Sequence, residues 1–204
     1  MTGIENDLRR ELPAPDQLPD ISIAAAEAGL LDVAYATLDS PLGKLLLAAT
    51  PEGLVRVAYV EYFDQDAVLE QLAAKVSPRV LAAPRRLDEP RRELDQYFAG
   101  DRHEFDVPLD WRLTRGFSRR VLEATARIPY GVTSTYKQMA AEAGNERASR
   151  AAGNALGSNP IPIIVPCHRI LHGDGGLGGY TGGLDKKRLL LAVESGQGVL
   201  PTTG

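Results

Sequence analysis

The chain has 204 residues, is 44% hydrophobic and 25% charged, and carries a formal net charge of −4. That length suits one large or two small domains with a sizeable core, while one cysteine and three histidines exclude an internal disulfide and argue against a structural zinc site. The charge is unevenly divided: residues 1–104 hold 11 Lys and Arg against 19 Asp and Glu, and residues 105–204 hold 12 against 8, so the second half suits an anionic partner.

The opening "MTGIENDLRRELPAPDQLPD" is acidic and proline-rich and has no apolar signal stretch. No run approaches the ~20 apolar residues of a membrane span. A free thiol fits a reducing compartment, and the expected location is the cytoplasm, with no membrane partner. Residues 1–30 read as a flexible extension with a short helix through "SIAAAEAGLL". "DVAYATLDSP" and "KLLLAATPEGLVRVAYV" are apolar and β-rich, with turns at "SPLG" and "PEG". Helical spacing follows over 64–76 and 88–99. "GDRHEFDVPLDW" reads as loop and strand and closes a first unit near residue 110.

The second half predicts short helices. "TRGFSRRVLEATARI" is stopped by Pro129 and Gly131. "VTSTYKQMAAEAG" begins with capping residues and ends at Gly144, and "NERASRAAGNALG" runs from Asn145 to Gly157. These two helices have helix-turn-helix proportions. A strand "IPIIVP", the cysteine, the glycine-rich "HGDGGLGGYTGG" and a last helix "LDKKRLLLAVES" follow. Residues 197–204 read as a loose tail.

Cys167 is the only cysteine, and His168 and Arg169 follow it directly. A lone buried cysteine is commonly a small hydrophobe. Here the thiol stands past the apolar run, after Pro166 and before a glycine-rich loop, where reactive groups tend to be placed. A neighbouring imidazole can activate it as a nucleophile.

"NPIPIIVPCHRI" resembles the active-site segment of the O6-alkylguanine-DNA alkyltransferases, the methylated-DNA–protein-cysteine methyltransferases. "IPYGVTSTYKQMAAEAG", "SRAAGNALGSNP" and "GYTGGLDKKRLLLAVES" resemble the same family in order and spacing from about residue 115 to 196. "TLDSPLGKLLLAATPEGL" resembles its N-terminal domain, and the first ~30 residues fall outside the resemblance. The resemblance implies direct transfer of an alkyl group from guanine O6 in double-stranded DNA to the protein's own cysteine. The transfer is irreversible and stoichiometric, needs no cofactor and no metal, and is performed by a monomer.

It also implies roles. Cys167 is the alkyl acceptor, His168 the base acting through a water, and Glu194 the carboxylate that orients the histidine. Asn159 organises the turn at the cysteine, and Tyr136 supplies the proton to the leaving guanine. The base must be flipped out of the duplex, and Arg150 fills the space it vacates. Arg147, Ala151 and Asn154 share the DNA-facing helix, whose alanines (148, 151, 152 and 155) would allow a close approach to the minor groove. Gly178, Tyr180 and Thr181 belong to the loop that closes over the base. Arg169 reads as structural, pairing between domains, while His103 and His172 receive no role. Thr135, Ala152 and Gly178 depart from the residues usual in the family, which bears on pocket size.

The expected fold class is α+β: a small N-terminal sheet domain with helix (31–110), then a mostly helical C-terminal domain with the helix-turn-helix and the alkyl acceptor (111–196). Two other functions fit parts of the pattern. One is a helix-turn-helix DNA-binding regulator without catalysis. The other is a cysteine hydrolase with a Cys-His-Glu triad.

Overall fold

The computed structural model describes residues 24–25 and 28–196. The expected extension therefore lies mostly outside the described residues and the expected tail (197–204) entirely so, although Ala24 and Ala25 are helical.

Three strands, β1 (Val33–Leu38), β2 (Leu45–Thr50) and β3 (Gly53–Tyr59), form an antiparallel meander. Helix α1 (Gln65–Lys75) returns the chain so that β4 (Val80–Ala82) pairs parallel with β1, giving the order β3-β2-β1-β4. The continuous apolar run of β2 has a physical cause. Side chains alternate between faces of a strand, and both faces of this sheet are covered. Leu45 and Leu47 join the main core with Ala36, Val57 and Tyr59, while Leu46 and Ala48 pack with Val33, Val55 and, from α1, Val68 and Leu72.

Helix α2 (Asp88–Ala99) buries Pro90, Leu94, Tyr97 and Phe98, an i, i+4, i+7, i+8 stripe that carries Tyr97 into the main core. It ends at Gly100, whose φ of 83° suits the left-handed cap. The chain then runs beside β3: Leu54 N donates to Pro108 O (2.8 Å) and Asp110 N to Leu54 O (2.9 Å). Gly53 permits this approach, since a Cβ there would lie 2.3 Å from Pro108 O.

The C-terminal half is helical. It comprises α3 (Gly116–Ala126), α4 (Tyr136–Glu142), α5 (Ser149–Gly157) and α6 (Leu184–Glu194). Two minimal strands, β5 (Ser134–Thr135) and β6 (Ile170–Leu171), pair in parallel and set the start of α4 beside the segment after Cys167. Thr135 caps α4 by accepting from Gln138 N at 3.2 Å. Val57 N donates to Pro160 O (2.8 Å), a backbone bond between the sheet and the segment leading to the cysteine.

Two sequence expectations are corrected here. The segment 161–166 is not a strand: Val165 N closes a turn onto Ile161 O (2.9 Å), Pro162 and Val165 share a single bridge, and Ile163 has φ 75°. Pro160, Pro162 and Pro166 offer no N–H to a ladder, which apolarity and β-branching do not reveal. The expected helix from Asn145 begins only at Ser149. The Asn145 side chain accepts from Arg147 N (3.2 Å), a local turn that competes with the helix and leaves Arg147 before it.

Candidate active site

The cysteine is held by the turn that precedes it. Asn159 is buried and donates from Nδ2 to Val165 O (2.8 Å) and to Cys167 Sγ (3.2 Å), while its Oδ1 accepts from Ile161 N (3.0 Å). One amide thus ties both ends of the 161–165 turn and supplies a hydrogen bond to the sulfur. Cys167, His168 and Arg169 then form a single 3₁₀ turn, all three buried.

Behind that turn lies a network centred on Glu194, at the end of α6. Its Oε1 accepts from Tyr97 OH (2.6 Å), lies 2.8 Å from His168 Nε2, and accepts from Arg169 Nη2 (2.8 Å). Its Oε2 accepts from Arg169 Nε (2.8 Å) and Gly131 N (3.2 Å). Burial pushes the Glu194 pKa up, but bonds from His168, Arg169 and Tyr97 outweigh it and hold the carboxyl well below the usual range. An ionised carboxylate only accepts, so Nε2 of His168 carries the ring proton. Burial also lowers the His168 pKa. Its Nδ1, buried and with no hydrogen-bond partner, presents a lone pair.

Arg169 does not pair between domains as expected. It binds Glu194 in two places, donates to Ile128 O, and stands 5.8 Å over the Tyr130 ring, all within the C-terminal half. Within this network the group from the N-terminal half is Tyr97, which sequence reasoning missed. His103 stacks on Tyr130 at 4.1 Å.

Lys187 was also missed. It is fully buried, and its Nζ donates to Ile170 O (2.6 Å) and Leu177 O, with Gly179 O at 3.5 Å. Burial lowers its pKa to about 8. The buried spacing Lys187, Leu190, Val193, Glu194 is a helical stripe, and that stripe is the signal that could have found it. Burial pushes the Cys167 thiol up to about 11, opposed by the Asn159 hydrogen bond and the Lys187 charge. The resting group is therefore a thiol that needs a base. Without DNA, Cys167 should react with iodoacetamide about tenfold faster per pH unit from 7 to 8, following its thiolate fraction. Mass-monitored labelling would show this, and a rate already flat by pH 7.5 would contradict it.

A pocket of about 570 Å³ opens onto Cys167, lined also by Tyr136, Arg150, Asn154, His172, Tyr180 and Thr181. Tyr136 begins α4, and its hydroxyl fixes Gly178: a Cβ there would lie 2.3 Å from it, and φ is 65°. Tyr180 is held by Tyr59 of β3 through a 2.7 Å hydroxyl–hydroxyl bond, and Thr181 donates to Gly157 O (3.0 Å) at the end of α5. Gly182 lets the loop pass Tyr59, since a Cβ would meet that ring at 2.6 Å. Tyr59 is a further position that the sequence reading missed.

On α5, Arg150, Ala151 and Asn154 are exposed. Ala152 and Ala155 face inward and are buried, so of the helix's alanines these serve packing rather than an approach to DNA. Arg147 is exposed in the preceding turn, not on the helix expected to carry it.

Comparison with known proteins agrees with this geometry. Residues 33–111 match the family model described as "6-O-methylguanine DNA methyltransferase, ribonuclease-like domain", and residues 116–196 match the corresponding "DNA binding domain". The chain belongs to the 6-O-methylguanine DNA methyltransferase family. It is 42% identical over 162 residues to a methylated-DNA–protein-cysteine methyltransferase of Mycolicibacterium paratuberculosis, covering 79% of this chain and 92% of that one. It is 34% identical over 163 residues to the constitutive enzyme of Bacillus subtilis, covering 78% and 94%. Among solved structures, Mycobacterium tuberculosis OGT in complex with DNA is similar at a TM-score of 0.70 and 38% identity, covering 82% of this chain and 96% of that one. The expected α+β class, with a sheet domain before a helical DNA-binding domain, agrees with both family matches. No helix among the described residues is long and apolar enough to cross a membrane.

Proposed function

We propose that this chain repairs O6-alkylguanine in duplex DNA by moving the alkyl group onto Cys167 Sγ, once per molecule, as a monomer in the cytoplasm. The observation that carries the reading is the thiol at a pocket floor with Tyr136 in its wall and the Asn159, His168 and Glu194 network behind it.

The flipped base enters the pocket with its O6-alkyl carbon toward Cys167. The thiol proton passes to His168 Nδ1 by way of a water, and Glu194 stabilises the resulting imidazolium. A sulfur–carbon bond forms as the carbon–O6 bond breaks. The electron pair of that bond goes to guanine, and the Tyr136 hydroxyl donates to the leaving oxygen. Asn159 and Lys187 favour the negative sulfur along the way. Arg150, exposed beside the pocket, occupies the space the base leaves. Ala151 and Asn154 contact DNA beside it, with Arg147 in the turn before them. Tyr180 and Thr181 close over the base, and Gly178 leaves room for Tyr136.

Incubation with excess methylated duplex and peptide mass analysis tests the function. Modification should stop at one methyl per protein, on Cys167. Sustained turnover would instead mark a cysteine hydrolase, and no transfer at all a DNA-binding regulator.

A paired comparison separates two of the roles. Tyr136→Phe keeps the ring and should slow transfer from duplex DNA and from free O6-benzylguanine alike, by roughly ten- to several-hundred-fold. Arg150→Ala should slow the duplex reaction at least about tenfold and the free base far less, because only the duplex demands flipping. Equal losses in the Arg150 variant, or none in the Tyr136 variant, would refute the respective role.

A further inference from the structure

A second cavity, of about 740 Å³, lies where the sheet meets the start of the C-terminal half. Arg56 of β3, Lys75 of α1, Arg112, and Arg115 at the start of α3 line it, and no carboxylate does. Arg112 is neutralised by Asp110 at 2.5 Å, itself held by Thr50. The other three have no ion pair among the described residues.

Arg56 is the informative one. It is partly buried, and burial lowers its pKa. Its guanidinium carbon stands 5.6 Å from the Phe63 ring. Elsewhere the buried cations are satisfied: Arg169 by Glu194, Lys187 by backbone carbonyls. A partly desolvated guanidinium without an anionic partner forgoes a charge pairing that a ligand anion supplies. The remaining lining adds a donor, the Ser118 hydroxyl, beside the cations. The first turn of α3, which Arg115 begins, has no side-chain cap.

We propose that this cleft binds a phosphate group, with Arg56 as its principal anchor and Lys75 and Arg115 at its rim. Planar guanidinium forks and a lysine charge match phosphate oxygens. The cleft also borders the alkyl-acceptor pocket. Gly157 lines the pocket and Ser158 lines the cleft, so a polynucleotide on α5 has a path between them. The phosphate is carried either by that DNA backbone, which rests on the repair function proposed above, or by a free phosphate compound, which does not.

The test uses the full chain, Arg56→Gln, and Arg115→Gln as an exposed variant that leaves the core untouched. In the first arm, calorimetry without DNA measures inorganic pyrophosphate. Wild type should bind saturably, and affinity should fall about tenfold or more in Arg56→Gln and measurably in Arg115→Gln. In the second arm, the affinity for unmethylated duplex is followed against salt. If DNA supplies the phosphate, each variant should lower the slope of log affinity against log salt by about one. Reaction with free O6-benzylguanine should stay at the wild-type rate in both. A response in the first arm alone assigns the cleft to a free phosphate compound, and a response in the second assigns it to DNA. Pyrophosphate binding and salt slopes that neither variant changes would overturn the proposal, while loss of methyl transfer in wild type would sink only the repair function.

Discussion

Cys167→Ser is expected to abolish alkyl transfer. The substitution is nearly isosteric, and the sulfur sits in the core with 5% of the residue exposed, so the fold has little to adjust. The Asn159 amide, 3.2 Å from the sulfur, finds an acceptor in the serine oxygen as well. What changes is chemistry. A serine hydroxyl is far less acidic than even this raised thiol, and its oxygen is the poorer nucleophile toward an alkyl carbon. The residues exposed on α5 are untouched, so affinity for duplex DNA should remain within about twofold. Intact mass after prolonged incubation with methylated duplex, beside a binding titration, measures both. Any methyl on residue 167 of the variant, or on another side chain, would remove Cys167 from its assigned role.

Glu194→Ala should destabilise the fold by about 3–5 kcal/mol, the scale for removing one partner of a buried ion pair. The alanine would leave Arg169 charged and buried, Tyr97 without its acceptor, and His168 free to turn. Chemical denaturation measures the loss. Glu194→Ala combined with Arg169→Met should recover part of it, because the uncompensated charge goes too. A loss below about 1 kcal/mol in the single variant would show the network to be incidental.

The same network sets the acid response. The folded pKa values of Glu194 and His168 both lie below their ordinary values of 4.5 and 6.5. At lower pH the unfolded chain therefore takes up protons that the native state resists. Stability from His168 declines below about pH 6.5, and that from Glu194 declines further below about 4.5.

Much of the site was legible because its chemistry lies close together in the chain. Cys167 and His168 are adjacent, and Asn159 stands eight residues before the cysteine. Helices with a clean apolar stripe, such as 88–99, were readable for the same local reason. The misses involve partners chosen by tertiary packing. Tyr59 and Tyr97 look like ordinary core aromatics until their hydroxyls are placed on Tyr180 and Glu194. Lys187 lies in "LDKKRLLL", a charge run that reads as solvent-facing unless its helical phase is followed. The false strand at 161–166 arose because apolarity marks burial but does not tell a ladder from a proline-bound turn.

The carboxylate of Glu194 gathers donors from residues as far as 97 positions away along the chain, and it comes from the last helix described. During synthesis the cysteine and histidine leave the ribosome before it does. A nascent molecule, or one clipped ahead of that helix, holds its thiol without an anchored imidazole and leaves Tyr97 and Arg169 without their acceptor. The buried network behind the cysteine is complete only once α6 has docked. On the function proposed above, the sulfur and the exposed face of α5 are both made first, and the group that anchors the histidine comes last.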